Sequence, residues 1–120
     1  MQPYAHLLQT AALLFGIAAL GGLAMAAIRL RGAPRPPAWL AYVHGLLAAA
    51  GLTLMVYAAC TVGLPPMAKA SLAALVLAAL GGSALNLMYH QKQLPLPVPI
   101  MVGHALLAVV GFVLLFLAAF

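Results

Sequence analysis

Four apolar runs take up almost the whole of this chain, at residues 4–28, 39–62, 67–89 and 98–120. Each is about as long as the roughly 20 helical residues that cross a bilayer core. Runs of that length leave few structural options, because lipid offers the backbone no hydrogen-bond partners. The runs lack the apolar/polar alternation of barrel strands. The expected fold is therefore an all-α integral membrane protein, a bundle of four transmembrane helices. The separators fit: "RLRGAPRPP" is basic and Pro-rich, "GLPP" is a tight break, and "QKQLPLPVP" is polar and then Pro-rich.

Composition agrees. The chain is 68% hydrophobic and 4% charged, with no Asp or Glu, whereas a soluble domain carries about 25% charged residues. Loops and tails are a few residues each, so the 120 residues form a single transmembrane domain. The "AMA" at 24–26 looks like a signal-peptide cleavage site. No Lys or Arg precedes the first run, however, and that run is long for a signal core. It is read as mature protein.

The basic residues orient the bundle. Arg29, Arg31 and Arg35 lie in the first loop and Lys92 in the third, and only Lys69 opposes them. The positive-inside rule places loops one and three in the cytoplasm and both termini outside. The net charge of +5 reads as this signal plus attraction to anionic lipid. It does not read as a nucleic-acid footprint, since no folded face displays the few basic residues. Tyr4, Trp39, Tyr42, Tyr57 and Tyr89 fall near expected span ends, as interfacial anchors do.

The two halves of the chain resemble each other. Residues 1–60 laid over 61–120 align "AALGG" at 18–22 with "AALGG" at 78–82, and "HGLLAAAGL" at 44–52 with "HALLAVVGF" at 104–112. Ala and Leu matches carry little information. The Gly-Gly pairs, the histidines and the glycines that follow them match in one register, which points to a duplicated hairpin. Two spans per half make the repeat parallel, with a pseudo-twofold axis along the membrane normal. His44 and His104 are 104 − 44 = 60 positions apart. They should lie at one depth, on opposite sides of that axis.

Gly21 and Gly22 should be level with His44, and Gly81 and Gly82 with His104. Ala48 and Gly51, and likewise Ala108 and Gly111, lie four and seven residues beyond each histidine, on its own helix face. The expectation is two histidines in a cleft lined by small residues, toward the cytoplasmic side. One reading needs no ligand: small residues let membrane helices approach closely. The other is a b-type haem with His44 and His104 as axial ligands. A structural zinc site wants four protein ligands and a catalytic one three, which a chain without carboxylates cannot easily assemble. Haem iron needs only two. The glycines would make room for the macrocycle, and Arg29, Arg31, Arg35 and Lys92 would meet its anionic propionates. Asn86 is the strongest single polar intrusion. It would orient a histidine by accepting its second N–H, or act as helix–helix glue.

A pair of hairpins with one His per hairpin, each followed by a Gly seven residues on, resembles the small four-helix cytochrome b type, the haem-b-binding membrane subunits of respiratory complexes. That resemblance implies one haem b, electron exchange with quinone or a partner subunit, and residence in a bacterial inner membrane. The chain departs from the longer cytochrome b pattern, in which each ligand helix carries two histidines. Two other functions stay open. One is a cofactor-free accessory subunit packed into a larger membrane complex or a homo-oligomer. The other is a small proton-coupled transporter using the histidine pair, whose unperturbed pKa is near neutral. Hydrolase chemistry is not expected, since no Asp or Glu is present to orient a base. No independent catalytic activity is assigned. His6 is read as an interfacial residue, and His90 as solvated or else as a partner of a propionate or a replacement for His104 as ligand.

Overall fold

The computed structural model describes residues 2–120. Four helices run α1 (Ala5–Leu30), α2 (Ala38–Thr61), α3 (Pro66–Leu85) and α4 (Val98–Ala119). A π-helical turn, Asn86–His90, continues α3. All four spans are long and apolar enough to cross a membrane, which makes the chain a membrane helix bundle. It measures 47 × 22 × 21 Å.

The helix limits follow from proline and glycine. Pro37, Pro65 and Pro97 stand just before α2, α3 and α4, where a fixed φ starts a helix and the missing N–H costs nothing. Gly63, at φ +78°, ends α2 by donating its N–H to the Ala58 carbonyl at 2.9 Å, the left-handed cap that glycine adopts without strain.

The tightest interfaces lie within the hairpins, α1 on α2 and α3 on α4; α1 on α4 and α2 on α3 close the ring. Thus α2 and α4 face each other across the bundle. The interior is built largely from small side chains, among them Ala11, Ala12, Ala58 and Ala68, around the larger Leu8, Met55 and Leu115. Many of the largest apolar side chains point outward, including Leu13, Leu20, Leu46 and Leu106. In water that surface would aggregate; in lipid it is solvated.

Contacts recur at positions 60 residues apart. Phe15 of α1 covers Gly51 of α2, and Leu75 of α3 covers Gly111 of α4. One polar contact breaks the correspondence. Ser71, fully buried, donates to the Gly111 carbonyl at 2.7 Å, where the matching position in the first half is Ala11. The Gly111 carbonyl lies inside α4, so Ser71→Ala orphans no helical acceptor. It is expected to lower stability by about 1 kcal/mol, read as a small drop in the unfolding midpoint in mixed micelles. A collapse of the fold would contradict this account.

Loops one and three lock together at one end of the bundle. The Leu96 N–H bonds the Pro34 carbonyl at 3.1 Å. Arg29 Nε donates to the Leu96 carbonyl at 2.9 Å. Arg35 grips Gln93 twice, at the backbone carbonyl (2.7 Å) and at the side-chain oxygen (2.9 Å). Gln93 sits at φ +59°, a conformation uncommon outside glycine, and this two-point grip holds it there.

Candidate functional site: the histidine pair

His44 and His104 occupy equivalent places early in α2 and α4, the two helices that face each other. Their ring centroids are 6.2 Å apart, with the planes at 79°. The structure thus brings together the two residues that the repeat singles out.

Each ring is fixed by the neighbouring helix of its own hairpin. His44 Nδ1 lies 2.7 Å from the Ala18 carbonyl, and His104 Nδ1 lies 2.7 Å from the Ala78 carbonyl. A carbonyl can only accept, so both Nδ1 atoms carry the proton. In the neutral imidazole that choice leaves Nε2 with a free lone pair. Neither Nε2 has a protein partner, and no buried side-chain nitrogen or oxygen among the described residues is left unsatisfied. Each Nε2 therefore opens onto accessible space.

Gly22 and Gly82 make this arrangement possible. A Cβ on Gly22 would stand 3.0 Å from Cε1 of His44, and one on Gly82 would stand 2.9 Å from Cε1 of His104. The missing side chains let each imidazole lie against the next helix and reach its carbonyl. Gly21 and Gly81 are looser, with the histidine Cβ atoms 3.8 and 3.7 Å from the Cβ each would carry. Gly51 and Gly111 differ from the expected open cleft: the Phe15 ring and the Leu75 side chain fill the space above them. Those two glycines serve close helix approach.

The other expected site residues lie elsewhere. Asn86 accepts from Gln91 Nε2 at 2.8 Å, and the task of orienting the histidines falls to the Ala18 and Ala78 carbonyls. Arg29 and Arg35 hold the loops together, and Arg31 is exposed. His90 is not merely solvated: its Nε2 lies 2.9 Å from the Pro36 carbonyl and ties α3 to loop one. His6 is exposed. Among the described residues, no three His, Cys, Asp or Glu side chains converge, so the donor set at the pair is two imidazoles.

What such a pair can do follows from its chemistry. Two imidazoles with fixed tautomers and free Nε2 lone pairs can coordinate one metal centre that needs only two protein ligands. They can also accept protons. Comparison with protein-family models, curated proteins and solved structures finds no match, so the functional reading rests on this geometry.

Proposed function

We propose that the protein is a haem b-binding electron-transfer subunit of a membrane complex, with His44 and His104 as the two axial ligands. The observation that carries this reading is the close pair with both Nδ1 protons committed to carbonyls. With ring centroids 6.2 Å apart, His44 and His104 are the residues that would hold a metal centre needing two protein ligands. Donation of the second ring N–H to a carbonyl also orients ligating histidines and raises their basicity.

When bound, haem b supplies a one-electron couple. The chain's own residues do the rest. His44 and His104 hold their ring planes through Ala18 and Ala78. Gly22 and Gly82 keep those rings against the hairpin partners. The apolar spans limit water and lower the local dielectric. Arg29, Arg31 and Arg35 give the nearby end of the bundle a positive potential, suited to anionic propionates. In this reading the positive-inside rule puts this end in the cytoplasm and both termini outside, and the proposed setting is the inner membrane of a bacterium. Quinone or a partner subunit is the electron partner, and the outward apolar faces suit packing beside other subunits or further copies of the chain.

The test is a visible spectrum of detergent-purified protein expressed with added haem, before and after dithionite. Sharp reduced bands at one haem per chain are expected. A folded, colourless protein that takes up no added haem would overturn the reading. It would favour a cofactor-free accessory subunit, in which the histidines act only as clamps between helices. The Phe15 and Leu75 contacts that fill the space over Gly51 and Gly111 are the observation on that side.

A further inference from the structure

The interlocked loops border a second feature, separate from the histidine pair. An open, shallow cavity of about 450 Å³ lies there, lined by Ile28, Arg35, Pro37, Ala38, His90 and Gln93. Donors stand among its polar groups. Arg35 uses one hydrogen on each terminal nitrogen to hold Gln93, which leaves three of its five N–H donors. His90 donates from Nε2 to Pro36. The N–H groups of Ala38 and Trp39 open α2 and, being in its first turn, have no intrahelical acceptor.

No acidic side chain balances these groups, since the chain contains no Asp or Glu. Arg35 is therefore a fixed guanidinium on a cavity wall with no carboxylate available to it, and its counter-charge comes from outside. The outer face of α2 indicates the source. Trp39 and Tyr42 are 65% and 55% exposed within a turn of the cavity, and such rings settle at headgroup level. Basic pockets between spanning helices at that level are suited to lipid phosphates.

We infer that this cavity binds the phosphate of one anionic phospholipid headgroup, held by Arg35 with the first N–H groups of α2. Arg35 meets the phosphate as a fork and still pins Gln93, so an occupied cavity also secures the clamp between loops one and three. Free inorganic phosphate presents the same oxygens, but it lacks the acyl chains that would lie along the apolar face below Trp39.

The test is native mass spectrometry of the full chain released from micelles containing phosphatidylglycerol, phosphatidylcholine or inorganic phosphate. It is run on haem-loaded and colourless preparations, because the cavity contains neither His44 nor His104. One retained phosphatidylglycerol per chain is expected, with at least fivefold less phosphatidylcholine. Arg35→Gln should lower retention about fivefold or more, the usual weight of one basic residue at an anionic surface. Arg31→Gln, on an exposed residue that does not line the cavity, should change it little. Ala38→Glu leaves both Arg35 and Gln93 in place and suits a helix start, yet it places a negative charge in the cavity and should expel the lipid. Equal loss in the Arg31 and Arg35 variants would overturn the site in favour of diffuse attraction. Retention unchanged by Ala38→Glu, or equal for the two lipids, would do the same. Inorganic phosphate that displaces the lipid at millimolar concentration would replace the lipid by a soluble anion as occupant.

Discussion

His44→Ala and His104→Ala are each expected to abolish the reduced haem bands, while His6→Ala leaves them unchanged. In the proposed haem site each of the first two would remove one of only two protein ligands, so the expected effect is all or nothing. His6 is exposed and distant in sequence from both. A histidine that merely clamps helices would also be missed, so the two roles need separating. The clamp is a hydrogen bond to a carbonyl inside α1 or α3, one already within a helix. Its loss costs about 1 kcal/mol and orphans nothing. The alanine variants should therefore still fold, with a circular dichroism spectrum close to that of the parent. Glycine at position 44 or 104 leaves a ring-sized space, and millimolar imidazole should restore the bands there by supplying the missing nitrogen. Bands that survive both alanine substitutions would sink the axial assignment.

The spans were legible because hydropathy over 20 residues is a long, redundant signal. The expected limits 39–62 and 98–120 differ from α2 (Ala38–Thr61) and α4 (Val98–Ala119) by a single residue at most at each end. The histidines were legible as a pair because a 60-residue offset and a rare residue type survive an otherwise uninformative Ala/Leu background. Their acceptors were not. Ala18 and Ala78 contribute only carbonyl oxygens, and a backbone atom leaves no mark in the sequence. One clue was present: both acceptors precede their histidine by 26 positions.

The glycines show the opposite limit. A small residue announces that something approaches closely, but it does not say what. Gly22 and Gly82 admit imidazoles, whereas Gly51 and Gly111 admit Phe15 and Leu75. All of them read alike in one dimension. The arginines were misleading for a related reason. Their position at one end gave the charge asymmetry, yet Arg29 and Arg35 spend donors on carbonyls of a loop 58 to 67 residues away. The π-helical turn at Asn86–His90 has no counterpart signal in the first half. It turns Asn86 to Gln91 and brings His90 to loop one.

Gly111→Ala is expected to destabilise the bundle by about 2–3 kcal/mol, the upper part of the range for overfilling a close-packed site. The new Cβ would stand 2.6 Å from Cγ of Leu75 and 3.3 Å from the Leu75 backbone nitrogen. Cγ lies one bond beyond Cβ and has little freedom to withdraw, so α3 and α4 must part. Parting them also stretches the buried Ser71 bond to the Gly111 carbonyl. The matching change, Gly51→Ala, should cost less, about 1 kcal/mol. There the Cβ meets Phe15 at Cε2, 2.6 Å away, and a ring edge can swing aside by rotation about χ1 and χ2. Unfolding in mixed micelles, followed by circular dichroism, measures both. A double-mutant cycle with Leu75→Ala isolates the cause. In that background the methyl of Gly111→Ala enters the space vacated by the leucine, and its cost should fall below about 1 kcal/mol, the remainder set by the 3.3 Å approach to the backbone nitrogen of residue 75, which stays. An equal cost in both backgrounds would show that the penalty comes from α4 itself and not from the α3–α4 contact.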